Sequence, residues 1–78
     1  RMKGFDEVIM QLSEKRKCCL LSHKGNVIEI QSDSTTFYDD LAYFKAVCDC
    51  YMATVHHSTV WIVSVNYEES IIELGYNY

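Results

Sequence analysis

Seven side chains in this 78-residue chain are of the types that ligate metals or act as nucleophiles and bases: Cys18, Cys19, Cys48, Cys50, His23, His56 and His57. Tetrahedral zinc takes such ligands, usually at C-x₂₋₄-C and H-x₃₋₅-H spacings. The chain offers C-C and C-x-C instead. On a helix, Cys48 and Cys50 stand about 200° apart around the axis. On a strand, Cys18 and Cys19 point to opposite faces. A mixed site, such as Cys50 with His56 or His57 and a strand cysteine, is still open. Thiols of this kind are more often small packing groups than ligands, so no metal and no cofactor are expected.

Nucleophilic catalysis asks for a thiol or hydroxyl, a nearby base and an oxyanion pocket. Cys50 and His56 are six residues apart, but no glycine-rich elbow surrounds either. A phosphate-cradling loop is also missing, since Gly4, Gly25 and Gly75 are 21 and 50 residues apart. Glu68 and Glu69 are adjacent carboxylates, and neighbours in a turn point apart into solvent rather than acting as an acid–base pair. A catalytic residue is therefore not expected.

Charge is the more informative property. The net charge is -4, yet residues 1–24 hold six cations against three acids, a net of +3, while residues 25–78 hold Lys45 against eight acids, a net of -7. The basic cluster Lys15, Arg16 and Lys17, with Lys24 at the following hairpin, is the candidate contact to nucleic acid. Cations at a helix C-terminus also suit its dipole, which is the plainer reason for them. On the acidic side, Asp39, Asp40 and Asp49 avoid the apolar stripe of their helix, with Tyr43 between them. Together with Glu68 and Glu69 these residues are the candidate partner-binding surface. Six tyrosines are many for so small a core, and tyrosine favours interfaces. Tyr38, Tyr43, Tyr76 and Tyr78 cannot all be buried.

The elements that position these groups follow from periodicity. Phe5, Val8, Ile9 and Leu12 share a helical face, with Asp6 and Glu7 at its start, predicting a helix over 5–16. Two β-type runs, 18–23 and 27–31, flank Lys24-Gly25-Asn26, a hairpin whose core face should carry Cys19, Leu21, Ile28 and Ile30. Thr36 with Asp39 resembles a capping box. Behind it Phe37, Leu41, Phe44, Cys48, Tyr51 and Val55 form a sustained stripe, predicting a helix over 37–54. The run 60–67 reads as a strand, apolar on both faces and so suited to the sheet centre. In the tail, Ile72, Leu74 and Tyr76 alternate as a strand does. Asn66 with Glu69, and Gly75, would also fit a short helix, but adjacent isoleucines favour the strand.

A length of 78 residues fits one domain with one small core. The fold class is α+β, a small single domain over 1–78 with the order α-β-β-α-β-β. It is an antiparallel four-stranded sheet with a long helix packed on one face and the first helix beside it. The apolar runs are too short for a membrane span or a signal-peptide core. Arg1 ahead of Met2 reads as a tag remnant or an internal start. Without an export signal the cysteines read as thiols in the reducing cytoplasm. The function expected is a non-catalytic protein-interaction domain, an acidic regulator or inhibitor of a basic, nucleic-acid-handling protein. The alternatives are a nucleic-acid-associated regulator using the basic cluster, and a homo-oligomer formed through open sheet edges.

Overall fold

A computed structural model of the chain describes residues 4–54 and 59–77. Helix α1 (Phe5–Arg16) leads into strands β1 (Cys19–Lys24) and β2 (Val27–Gln31). Helix α2 (Phe37–Thr54) follows, and then β3 (Thr59–Asn66) and β4 (Ile71–Asn77). The expected order and fold class are those observed. The four strands form one antiparallel sheet in the order β1-β2-β4-β3.

Both helices cover the same sheet face. Phe5 and Ile9 of α1, and Phe37, Leu41, Phe44 and Cys48 of α2, are buried against Ile28, Ile30, Val60, Ile72, Leu74 and Tyr76. The stripe expected on α2 is thus its packing face as far as the half-buried Tyr51. Val55 lies outside the described residues. Phe5 closes the junction, its ring 5.2 Å from Tyr51 and 4.9 Å from Tyr76. No helix among the described residues is long and apolar enough to cross a membrane.

Helix α1 stops where Lys17 turns left-handed (φ 59°). Its N–H bonds the Glu14 carbonyl at 3.1 Å and that of Cys18 bonds Ser13 at 2.8 Å. These are the paired bonds of a Schellman ending, with lysine where glycine is usual. The β1–β2 turn centres on Gly25-Asn26, since Lys24 pairs with Val27. Gly25 has φ +60° while Asn26 does not go positive, the sign pattern of a type II′ turn.

Two expectations about strand faces need correction. Opposite Ile30 stands Leu20, not Leu21, and Cys19 pairs with Gln31 on the far face. The cause is an extra residue at Leu21, a bulge that shifts the pairing by one. Secondly, β3 is an edge strand; β2 and β4 form the centre. A second bulge at Val63 shifts its alternation by one residue. Beyond it Val65, opposite Ile72, joins the core-side set of Val60 and Ile62, while Trp61 lies opposite Gly75 on the far face. Both sheet edges are therefore bulged, a feature that blunts edge-to-edge pairing.

The tail is the favoured strand. Asn66 and Glu69 do interact, Oδ1 accepting the Glu69 N–H at 2.9 Å. They do so within the β3–β4 turn, which closes through Ser70 at φ 57°. Of the four tyrosines that cannot all be buried, Tyr76 is buried and Tyr38 is exposed. The Tyr76 hydroxyl donates to the Gly25 carbonyl at 3.2 Å and meets His23 Nε2 at 2.8 Å, so its polar tip is satisfied inside.

Candidate functional site

The candidate surface residues divide into three groups in space. The first is an end of the molecule built from the loop before α2, the first turn of α2 and the β3–β4 turn. Gln31 Nε2 donates to the Glu69 carbonyl at 3.1 Å, and the Ser32 N–H to the Ser70 carbonyl at 2.9 Å. These bonds hold the two segments together. Phe37 is the buried anchor, and the ring of Tyr67 meets it edge-on at 5.8 Å. Tyr38 lies 6.2 Å from Tyr67 in a tilted stack. Both tyrosines face solvent, 71% and 60% exposed.

Four exposed carboxylates belong to the same segments: Asp33, Asp39, Glu68 and Glu69. Asp33 is held in place by Thr35, whose hydroxyl and N–H donate to its Oδ1 at 2.6 and 2.8 Å. Those bonds hold its carboxyl below the usual carboxylate range. No Lys or Arg occurs in 31–40 or 66–70. The end is thus a two-tyrosine platform bordered by acids of one sign. Asp39, Glu68 and Glu69 were legible as candidates. Tyr67 and Asp33 had no assigned role, and the signal for them was adjacency to Glu68 and to the capping residues.

The second group is a correction. Asp40 is not on the surface but 1% exposed. Its Oδ1 receives Arg16 through Nε at 2.7 Å and Nη2 at 2.5 Å. Its Oδ2 receives the Ser32 hydroxyl, the Thr36 hydroxyl at 2.9 Å and the Cys18 thiol at 4.0 Å. Thr36 therefore serves Asp40 instead of closing the expected capping box with Asp39. Burial works against the Asp40 charge, but the bonds from Ser32, Thr36 and Arg16 and the Arg16 charge outweigh it. Its carboxyl sits below the ordinary range. Tyr43 is half-buried in the same node, with the Arg16 guanidinium 5.2 Å above its ring. This node ties the end of α1 to the start of α2 and has a structural role.

The third group is dispersed. Asp49 lies ten residues along α2 from Asp39, about 15 Å at 1.5 Å per residue. It borders an open groove of about 320 Å³ with Lys45, Cys48, Val60, Trp61 and Ile62. The basic cluster does not converge either. Arg16 is committed to Asp40, and Lys24 stands at the far end of β1, about 17 Å along the strand from Cys19. Lys15 and Lys17 remain exposed together at the α1 terminus.

The cysteines are thiols. Burial, reinforced by Asp40, pushes Cys18 up to about 11. Burial and Asp49 push Cys48 to about 11. At about pH 8 such a thiol is ionised in roughly one molecule per thousand, so it is a poor nucleophile. A disulfide-exchange reagent is expected to label the exposed Cys19 and Cys50 first, the half-buried Cys18 more slowly and the buried Cys48 last. Uniform labelling of all four in the native protein would contradict the packing described. Among the described residues, no three of His, Cys, Asp and Glu converge as metal ligands. His56 and His57 lie outside them.

Comparison with protein-family models, with curated proteins and with solved structures returns no match.

Proposed function

We propose that the chain is a protein-interaction domain, a non-catalytic cytoplasmic regulator or inhibitor that docks a basic protein through its acidic, tyrosine-bearing end. One observation carries this reading. Tyr38 and Tyr67 stack on each other in the open, bordered by Asp33, Asp39, Glu68 and Glu69 without a neighbouring cation in those segments. Exposed aromatic area is costly in water and is the usual anchor of a protein interface. The surrounding carboxylates would steer a cationic partner and select against acidic ones. Such an end suits a partner whose own basic patch handles phosphates, because the carboxylates stand in for them.

A nucleic-acid ligand is less well supported. It would meet the -7 balance of residues 25–78, and the basic cluster offers only Lys15 and Lys17 side by side. The test is affinity for an arginine-rich peptide at low salt, measured for the wild type and for Asp39→Lys/Glu68→Lys. Loss of binding in the variant, with an unchanged fold, is the expected result. Equal affinity would remove this end from the interface.

A further inference from the structure

The helices leave the other sheet face uncovered, and its centre is built in an unusual way. Glu29 of β2 and Glu73 of β4 are directly paired on that face. Like charges opposite each other weaken a sheet. The flanking positions in the same row are Ser22 and Ser64, and among the described residues the Ser64 hydroxyl alone relieves the pair, donating to Glu73 Oε1 at 3.4 Å. Among the described residues neither glutamate forms an ion pair. Lys24 is the face's one cation among them; it stands in the row of Val27, Gly75 and Trp61, at the far edge from the indole, and pairs with neither glutamate.

Beside this pair lies exposed aromatic surface. Trp61, 41% exposed, is opposite Gly75, two residues along β4 from Glu73. A Cβ at Gly75 would stand 2.8 and 2.9 Å from two indole carbons and 2.9 Å from a Val63 methyl. The missing side chain is what allows the indole to lie across the strand. The outcome is an indole about 7 Å along the strand direction from two carboxylates that have no ion-pair partner among the described residues.

From this juxtaposition we infer that the uncovered sheet face is a second docking surface, fitted to an arginine-bearing protein segment. The guanidinium would stack on Trp61 while its N–H groups bond Glu29 and Glu73. Neighbouring apolar side chains of the partner would cover Val63. A second copy of this chain is the wrong occupant, because two such faces packed together would bring four carboxylates into one dry layer. The carboxylate pair is retained at a cost to the sheet that a cationic ligand removes.

Trp61 is the single tryptophan, so its emission reads this face and not the tyrosine end. The test titrates a peptide of alternating arginine and valine at low salt. Three proteins are compared: the wild type, Glu29→Gln/Glu73→Gln, and Glu68→Gln/Glu69→Gln, the last two having the same net charge. The wild type should show a saturable emission change. The Glu29/Glu73 variant should bind about tenfold or more weakly while melting at a higher temperature than the wild type. The Glu68/Glu69 variant should keep the Trp61 response. No saturable response in the wild type, or equal weakening in both variants, would overturn the inference. So would emission that depends on protein concentration without peptide, which would indicate self-association through this face. Failure here leaves the Asp39/Glu68 comparison standing, because that one is read by affinity at the opposite, tyrosine-bearing end.

Discussion

Replacing Asp40 with alanine is expected to destabilise the fold by about 3 kcal/mol, the scale of breaking a buried, hydrogen-bonded charge pair. The change strips partners from Arg16, Ser32 and Thr36 at once. Arg16 is about one-third exposed and can turn to water, which keeps the cost from going higher. The Ser32 hydroxyl loses its buried acceptor and is left with the Asp33 carbonyl at 3.3 Å, while the exposed Thr36 can turn to water. For a domain of this size such a loss lowers the melting temperature by roughly 12–24 °C. Thermal denaturation followed by circular dichroism measures it; a shift of a few degrees would show that the node is dispensable.

The same group sets an acid limit. Its folded-state carboxyl titrates below the ordinary value of 3.8, so the folded state holds the charged form more firmly than the unfolded chain does. That stability is complete above the unfolded value and is lost as pH falls through the folded one. Urea midpoints should therefore drop below about pH 4 in the wild type. In Asp40→Asn the drop should be shallower, from a lower plateau. Equal slopes would place the acid sensitivity elsewhere.

Charge reversal at the tyrosine end is the second large effect. Asp39→Lys/Glu68→Lys changes the local charge by four units where a basic partner would approach. Juxtaposed like charges cost several kcal/mol at an interface, so binding of a cationic peptide should weaken roughly a hundredfold or more at low salt. The difference should shrink as salt rises, because the Debye length falls to about 8 Å at physiological ionic strength. Both positions are exposed, and the main cost is a cation in the first turn of α2 at position 39, so stability should fall by no more than about 1–2 kcal/mol. The contrast with Asp40, which is adjacent in sequence to Asp39, separates a carboxylate that holds the fold from one that faces a partner.

That contrast also marks what the sequence made legible. Both helices were readable because their apolar residues recur at three and four, and the last strand because Ile72, Leu74 and Tyr76 alternate. The strand order was not, since the pairing of β2 with β4 joins residues forty or more apart and has no local signature. The bulges at Leu21 and Val63 were hidden for a related reason: an extra residue is accommodated most easily where one side of the strand is unpaired, and edge position is a tertiary property. Asp40 was misread because a carboxylate looks solvent-facing until its partner is known. A sign was present, however. Position 40 falls three after Phe37 and four before Phe44, on the border of the packing stripe, and Thr36 lies one turn behind it. At the candidate site the acids were visible from charge counting, but not their division into a buried node, a tyrosine end and an isolated Asp49.

The central claim is that the end formed by Tyr38, Asp39 and the 67–69 turn receives a basic partner. Residue-resolved amide shifts during titration of a ¹⁵N-labelled sample with an arginine-rich peptide test it most directly. Saturable shifts are expected at residues 38, 39 and 67–69 that vanish at high salt, with the core amides of Ile30, Phe44 and Ile72 unmoved. Saturable shifts elsewhere that leave 38, 39 and 67–69 unchanged would contradict it.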